Sequence, residues 1–446
     1  MNNKLNKFIL FLIGCFAITQ IRIIGYIGIS ELVLFVLAPY FCIRDWNLLS
    51  QHGFTPLIVL SIGCFVGGGV SNYVNRIDFY DAARGMAAPY AIFSIIVCLH
   101  HFLYRNIFNV KWLILGCAVS GVVSVFVFQY GAARGETSDG EFVADAESIE
   151  HVVSYSLFWF TQFDNWLNLP MKFDYLKIPF VYIVGVSIFM PLFALLSAGG
   201  RSAFLTMTVS YALIFVGGRK QKTMLRIRKY FWLLVVLGLL GGGVVKKAYQ
   251  YAATAGYMGE TQLRKYEKQS SRGSGALALL MAGRVDFFAG LTAAIDRPVV
   301  GYGSWALDKD GYYERFLSKY GTDEDYELFM SWLKSGNVGY LPGHSNVITA
   351  WNWYGIFGLL FWMYVFYLYC LTIRKNLAVV PQWFGYFALV LPGAMWNLFF
   401  SPFGQRIPAC LVFILCAFVK AIAEKRMLVC EEKTIRGICK KGQYFS

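Results

Sequence analysis

The chain has 446 residues, 57% of them hydrophobic and only 15% charged, with a formal net charge of +14. A soluble protein of that length needs far more polar surface, so the composition indicates a polytopic membrane protein and argues against a soluble enzyme. The positive excess reads as cytoplasmic-loop Lys and Arg, which accumulate there for reasons of insertion, and not as a nucleic-acid surface.

Taken in chain order, apolar runs predict spans near 5–21, 23–43, 54–73, 86–104 and 110–130. Further runs follow near 177–198, 202–218, 230–246, 347–372, 381–400 and 407–422. The first begins behind Lys4 and Lys7 like a signal peptide, but no small-residue cleavage site follows it, so an uncleaved anchor is expected. The pairs Gly63–Gly67 and Gly238–Gly242 suit close helix packing. The half-apolar segment 148–167 carries Glu150, His151 and Asp164. It is read either as a further span facing protein or as an interfacial helix. The ten cysteines are scattered and absent from the long polar loops, giving neither a disulfide framework nor zinc spacing.

Charge sets the expected topology. A basic cytoplasmic tail puts 401–406 outside, Arg374-Lys375 inside, the loop 247–346 outside, the basic loop 218–230 inside and the turn 197–203 outside. Lys4 and Lys7 are also inside if 148–167 makes a twelfth crossing, which is the preferred arrangement. The expected fold class is an all-α polytopic membrane protein of eleven or twelve transmembrane helices with one large outer loop. Its expected divisions are an N-terminal bundle (1–246), the loop (247–346), C-terminal helices (347–422) and a basic tail (423–446).

The chemistry is expected where that loop meets a span, at Gly343-His344-Ser345-Asn346. His344 is the one histidine beyond His151, and an imidazole at a water–lipid boundary can accept a proton near neutrality. A histidine that merely hydrogen-bonds is the plain alternative. Arg201 lies in a Gly-Gly-Arg-Ser turn between spans, where snorkelling to headgroups would also explain it. Arg284 lies in a stretch of helical apolar spacing, 274–292, and could be an ordinary ion-pair partner. Gly301 and Gly303, in Asp-Arg-Pro-Val-Val-Gly-Tyr-Gly (296–303), would let backbone approach a phosphate, with an ordinary loop as the alternative. Topology places Arg201, Arg284 and His344 on one face. Two guanidiniums can clamp a diphosphate and stabilise it as a leaving group, while the imidazole deprotonates an attacking hydroxyl. No Asp-x-Asp-type cluster adjoins them, so neither a metal nor another cofactor is inferred.

These motifs resemble the O-antigen ligase/polymerase family. The Gly-Arg-Ser-Ala turn (200–203) looks like that family's arginine turn. Ala-Gly-Arg-Val-Asp-Phe-Phe (282–288) with Arg-Pro-Val-Val-Gly-Tyr-Gly (297–303) is similar to its Gly-Arg segment and downstream Pro-x-x-Gly-x-Gly. Gly-His-Ser-Asn with Trp-Tyr-Gly-Ile-Phe-Gly-Leu is similar to its His-Asn-x-x-Leu motif and Gly-x-x-Gly span. The resemblance covers roughly 195–375. Ser345 stands where many members have Asn, Ile348 stands at the Leu position, and Gly200 replaces a usual Ser.

The resemblance implies a GT-C-like glycosyltransferase of the bacterial inner membrane with a periplasmic loop and an undecaprenyl-diphosphate-linked oligosaccharide as donor. Arg201 and Arg284 would bind the diphosphate and His344 would be the base. The acceptor would be another lipid-linked repeat in a polymerase, with a chain-length regulator protein as a conceivable partner, or lipid A–core in a ligase. Residues 350–355 and 396–404 look more like polymerase members; a protein-glycosylating transferase is a third reading. The rival from another class is a transporter of the same glycan, which would want charges at mid-depth in its spans, where Glu31 is nearly alone.

Overall fold

A computed structural model of the protein describes residues 3–17, 19–22, 26–128, 206–210, 213, 251, 255, 284–321, 323–335, 339–401 and 406–435. The expected spans 177–198 and 230–246, most of 202–218, the segment 148–167, the loop 218–230 and Arg201 lie outside these residues.

The described chain is mostly helical. Its front part comprises α1 (Asn3–Cys15), a two-stranded antiparallel hairpin of β1 (Gln20–Arg22) and β2 (Tyr26–Gly28), α2 (Ile29–Arg44), α3 (Trp46–Gln51), α4 (Thr55–Val74), α5 (Phe79–Leu103) and α6 (Val110–Phe128). The later part comprises α7 (Val285–Asp296), α8 (Tyr312–Tyr320), α9 (Asp323–Lys334), α10 (Asn346–Tyr354), α11 (Ile356–Leu371), α12 (Phe384–Phe400) and α13 (Arg406–Ile435). Among the described residues, five stretches are long and apolar enough to cross a membrane: Ile29–Gln51, Thr55–Val74, Phe79–Leu103, Ile356–Asn376 and Arg406–Val429. Ile107–Ser120 and Phe384–Phe400 are shorter apolar helices.

Three expected spans take a different form. The first apolar run becomes the 13-residue α1 and then the hairpin. The run at 86–104 is part of a helix that starts earlier, because Asp78 caps it by accepting the Tyr80 amide at 2.9 Å, so Asp81 and Arg84 lie on α5. The run 347–372 is two helices. Gly355 separates them at φ 61° and ψ −146°, a conformation essentially reserved for glycine.

Close backbone approach organises the bundle. A Cβ on Gly14 or Gly116 would strike the Leu113 or Phe11 carbonyl, so α1 and α6 touch main chain to main chain. On α4, the Gly63–Gly67 pair receives Phe357, and a Cβ on Gly67 would lie 2.6 Å from the Tyr354 oxygen. The elbow between α10 and α11 is thereby pressed against α4.

Polar groups mark the two ends of the bundle. At one, Arg406 at the start of α13 pairs with buried Glu31 at 2.7 Å, and Glu31 also accepts the Gly28 amide at 3.1 Å. At the other, Asp45 is forked by Arg44 at 3.0 and 3.1 Å and approached by His101 Nδ1 at 2.6 Å. Segment 284–341 forms a cap with its own small core of Ala289, Ala293, Tyr302, Ala306, Tyr312 and Leu341. Within it the Tyr312 hydroxyl donates to Asp296, and burial followed by that bond pushes the phenol well above its ordinary range.

Candidate functional site

Three helix ends meet where the cap joins the bundle. Arg284 immediately precedes α7, and its guanidinium reaches the C-terminal end of α12. There Nη1 donates to the Phe400 carbonyl at 3.3 Å, and the guanidinium carbon lies over the Trp396 and Phe400 rings at 5.3 and 5.4 Å. The arginine thus satisfies a terminal carbonyl of one helix while heading another.

The third end is that of α10. Ser345 is its cap and accepts the Ile348 amide at 3.2 Å, while Asn346 donates to the Asn397 carbonyl of α12 at 3.1 Å. These anchors present His344, the residue just before the cap, with its side chain 62% exposed. Its Nδ1 lies 3.5 Å from Asp286 Oδ2 in the first turn of α7. That is ion-pair range rather than a tight hydrogen bond. A carboxylate at Nδ1 can orient the ring and leave Nε2 for a proton in transit. The N-termini of α7 and α10 add positive dipole ends, a setting that favours an anion.

The structure therefore places His344 beside Asp286, two residues after Arg284, from positions 58 apart in the chain. Arg201 lies outside the described residues. The expected phosphate-facing role of Gly301 and Gly303 does not fit the geometry. Both have positive φ, 76° and 89°, but they turn into the protein. The Gly301 amide donates to Arg297, and those of Tyr302 and Gly303 donate to the Asn352 carbonyl at 2.6 and 3.2 Å. A Cβ on Gly301 would strike that same carbonyl. Ile356 N–H donates to Val299 O at 2.9 Å and Trp351 Nε1 to Pro298 O at 2.8 Å, so segment 297–303 is the seat of the α10–α11 elbow.

Asp286 was not singled out by the sequence, although it stands two residues after Arg284 within the quoted motif. The missing signal was the contact across the cap that places it beside His344. Among the described residues, no group of three or more His, Cys, Asp or Glu side chains is placed to hold a metal ion. Comparison with known proteins finds no matching family model, no matching curated protein and no matching solved structure.

Proposed function

We propose that the protein is a membrane glycosyltransferase that polymerises lipid-linked oligosaccharide repeats. The observation that carries this reading is the placement of an exposed His344, backed by Asp286, at the junction that also holds Arg284. In the proposed step a hydroxyl of the acceptor sugar attacks the anomeric carbon of the donor. The anomeric C–O bond to the diphosphate breaks, the hydroxyl proton passes to His344 Nε2, and the polyprenyl diphosphate leaves. Arg284, with Arg201 as its expected second arm, stabilises the charge that develops on the leaving group.

The site's end of the bundle is opposite Arg374 and Lys375 and the basic stretch from Lys420. By the positive-inside tendency it faces the periplasm of a bacterial inner membrane. Buried Glu31 pairs with Arg406 at the start of α13, near the helix ends, which suits surface chemistry better than translocation. The test is transfer by the purified protein in lipid nanodiscs supplied with undecaprenyl-diphosphate-linked repeats. A product ladder is expected. A single addition to lipid A–core would turn the reading to ligase, and no transfer to either acceptor would overturn it.

A further inference from the structure

A second cluster, absent from the chemistry above, lies at the opposite end of α10. Trp305 stands at φ 56°, a left-handed conformation that few side chains other than glycine adopt. The surroundings hold it there. The Ser304 amide donates to Asn72 Oδ1 at 2.7 Å, and Leu341 N–H donates to Ala306 O at 2.9 Å. The forced turn presents the indole to Trp353, with ring centroids 5.0 Å apart, and to Tyr340 at 6.2 Å. Arg84 lies over the Trp305 ring, its guanidinium carbon 3.6 Å from the centroid. Among the described residues Arg84 has no carboxylate partner, and Trp305 Nε1 is buried without a hydrogen-bond acceptor. Tyr340 is 47% exposed, so the cluster opens to solvent.

We infer that Arg84, Trp305, Trp353 and Tyr340 form a binding subsite for a pyranose oligosaccharide. A pyranose has an apolar C–H face and a rim of hydroxyls. Aromatic faces, negative at the centre, attract the polarised C–H groups, and a guanidinium supplies several N–H donors to the rim. A backbone conformation that costs energy and is locked by its neighbours is the kind found at ligand clamps. The position fits too. Nine residues of helix separate His344 from the cluster, about 13 Å at 1.5 Å per residue, the reach of a short oligosaccharide lying along α10. The inference rests on the proposed glycan chemistry for its ligand, with the sugar next to the reacting hydroxyl at His344 and a more distant ring on the aromatic cluster.

The experiment separates the two. The full-length protein in nanodiscs is titrated by calorimetry with the oligosaccharide released by mild acid from the host's lipid-linked glycan, and separately with inorganic pyrophosphate. Tyr340→Ala, Trp353→Ala and Arg84→Ala are each expected to weaken oligosaccharide binding about tenfold, the scale of one lost stacking contact, and to leave pyrophosphate binding unchanged. His344→Gln is expected to abolish transfer yet bind the oligosaccharide normally. Tyr340 is exposed, so Tyr340→Ala reports on binding even where a tryptophan variant fails to fold. If all three cluster variants bind the oligosaccharide like the wild type, or if the wild type does not bind it, the subsite is overturned whether or not transfer occurs. If binding depends on the cluster but no polymerisation is found, the subsite stands and the proposed reaction fails.

Discussion

At the scale of single residues, the base assignment proposed for His344, which lies 3.5 Å from Asp286, is open to direct test. A general base contributes about 10²–10⁴ in rate. His344→Gln is therefore expected to lower ladder formation in the nanodisc assay by that factor, and Asp286→Asn to lower it by a smaller one. Both should keep the wild-type unfolding temperature, since His344 is largely exposed. Full-rate ladders from His344→Gln would remove the base assignment. Arg284 is less clean, because it also closes the end of α12. Arg284→Lys keeps the charge without the fork, so turnover should drop only part of the way, within about 10²–10³. Glu31 and Arg406 make a purely structural forecast. Arg406→Ala strands a buried carboxylate and should cost about 3–5 kcal/mol, whereas replacing both by apolar residues of similar volume should cost much less. Thermal unfolding of the two variants compares them directly.

At the scale of elements, the joint between α10 and α11 matters most. Gly355→Ala forces a Cβ into a conformation closed to it and against the Val299 carbonyl, and should destabilise by about 3 kcal/mol or more. Ser345→Ala removes one cap bond and should cost about 1 kcal/mol; equal losses from the two in thermal unfolding would refute this account. This joint also shows where sequence reading stops. Residues 347–372 are apolar throughout, and hydropathy reports what a segment is made of, not whether it runs straight. The signal was Gly355 itself, hidden in a run that already contained Gly358. The α4 and α5 helices were legible because polar residues bracket long apolar runs. Arg84 escaped notice because the start of α5 was placed at 86, which left the arginine in a presumed loop. Asp286 escaped because its meaning depends on a residue 58 positions away.

At the scale of the whole molecule, orientation ties every element together. In a cysteine-free background, Lys309→Cys on the cap should react with an impermeant maleimide in intact spheroplasts, and Lys375→Cys beyond α11 should not. The reverse pattern would place the site on the cytoplasmic face and remove the donor proposed for it. Given that orientation, the glycine joint acts as a depth gauge. A straight helix over 347–372 would measure about 39 Å, against a hydrocarbon layer of about 30 Å. Turning at Gly355 leaves Ile356–Asn376, 21 residues, as the stretch long and apolar enough to cross, which is about 31 Å, close to the thickness of the layer. The turn therefore starts that stretch at the elbow and leaves α10 as a separate helix before it. Under the proposed function, His344 and Arg284 would then lie outside that crossing, on the side where a polyprenyl-diphosphate donor would present its diphosphate.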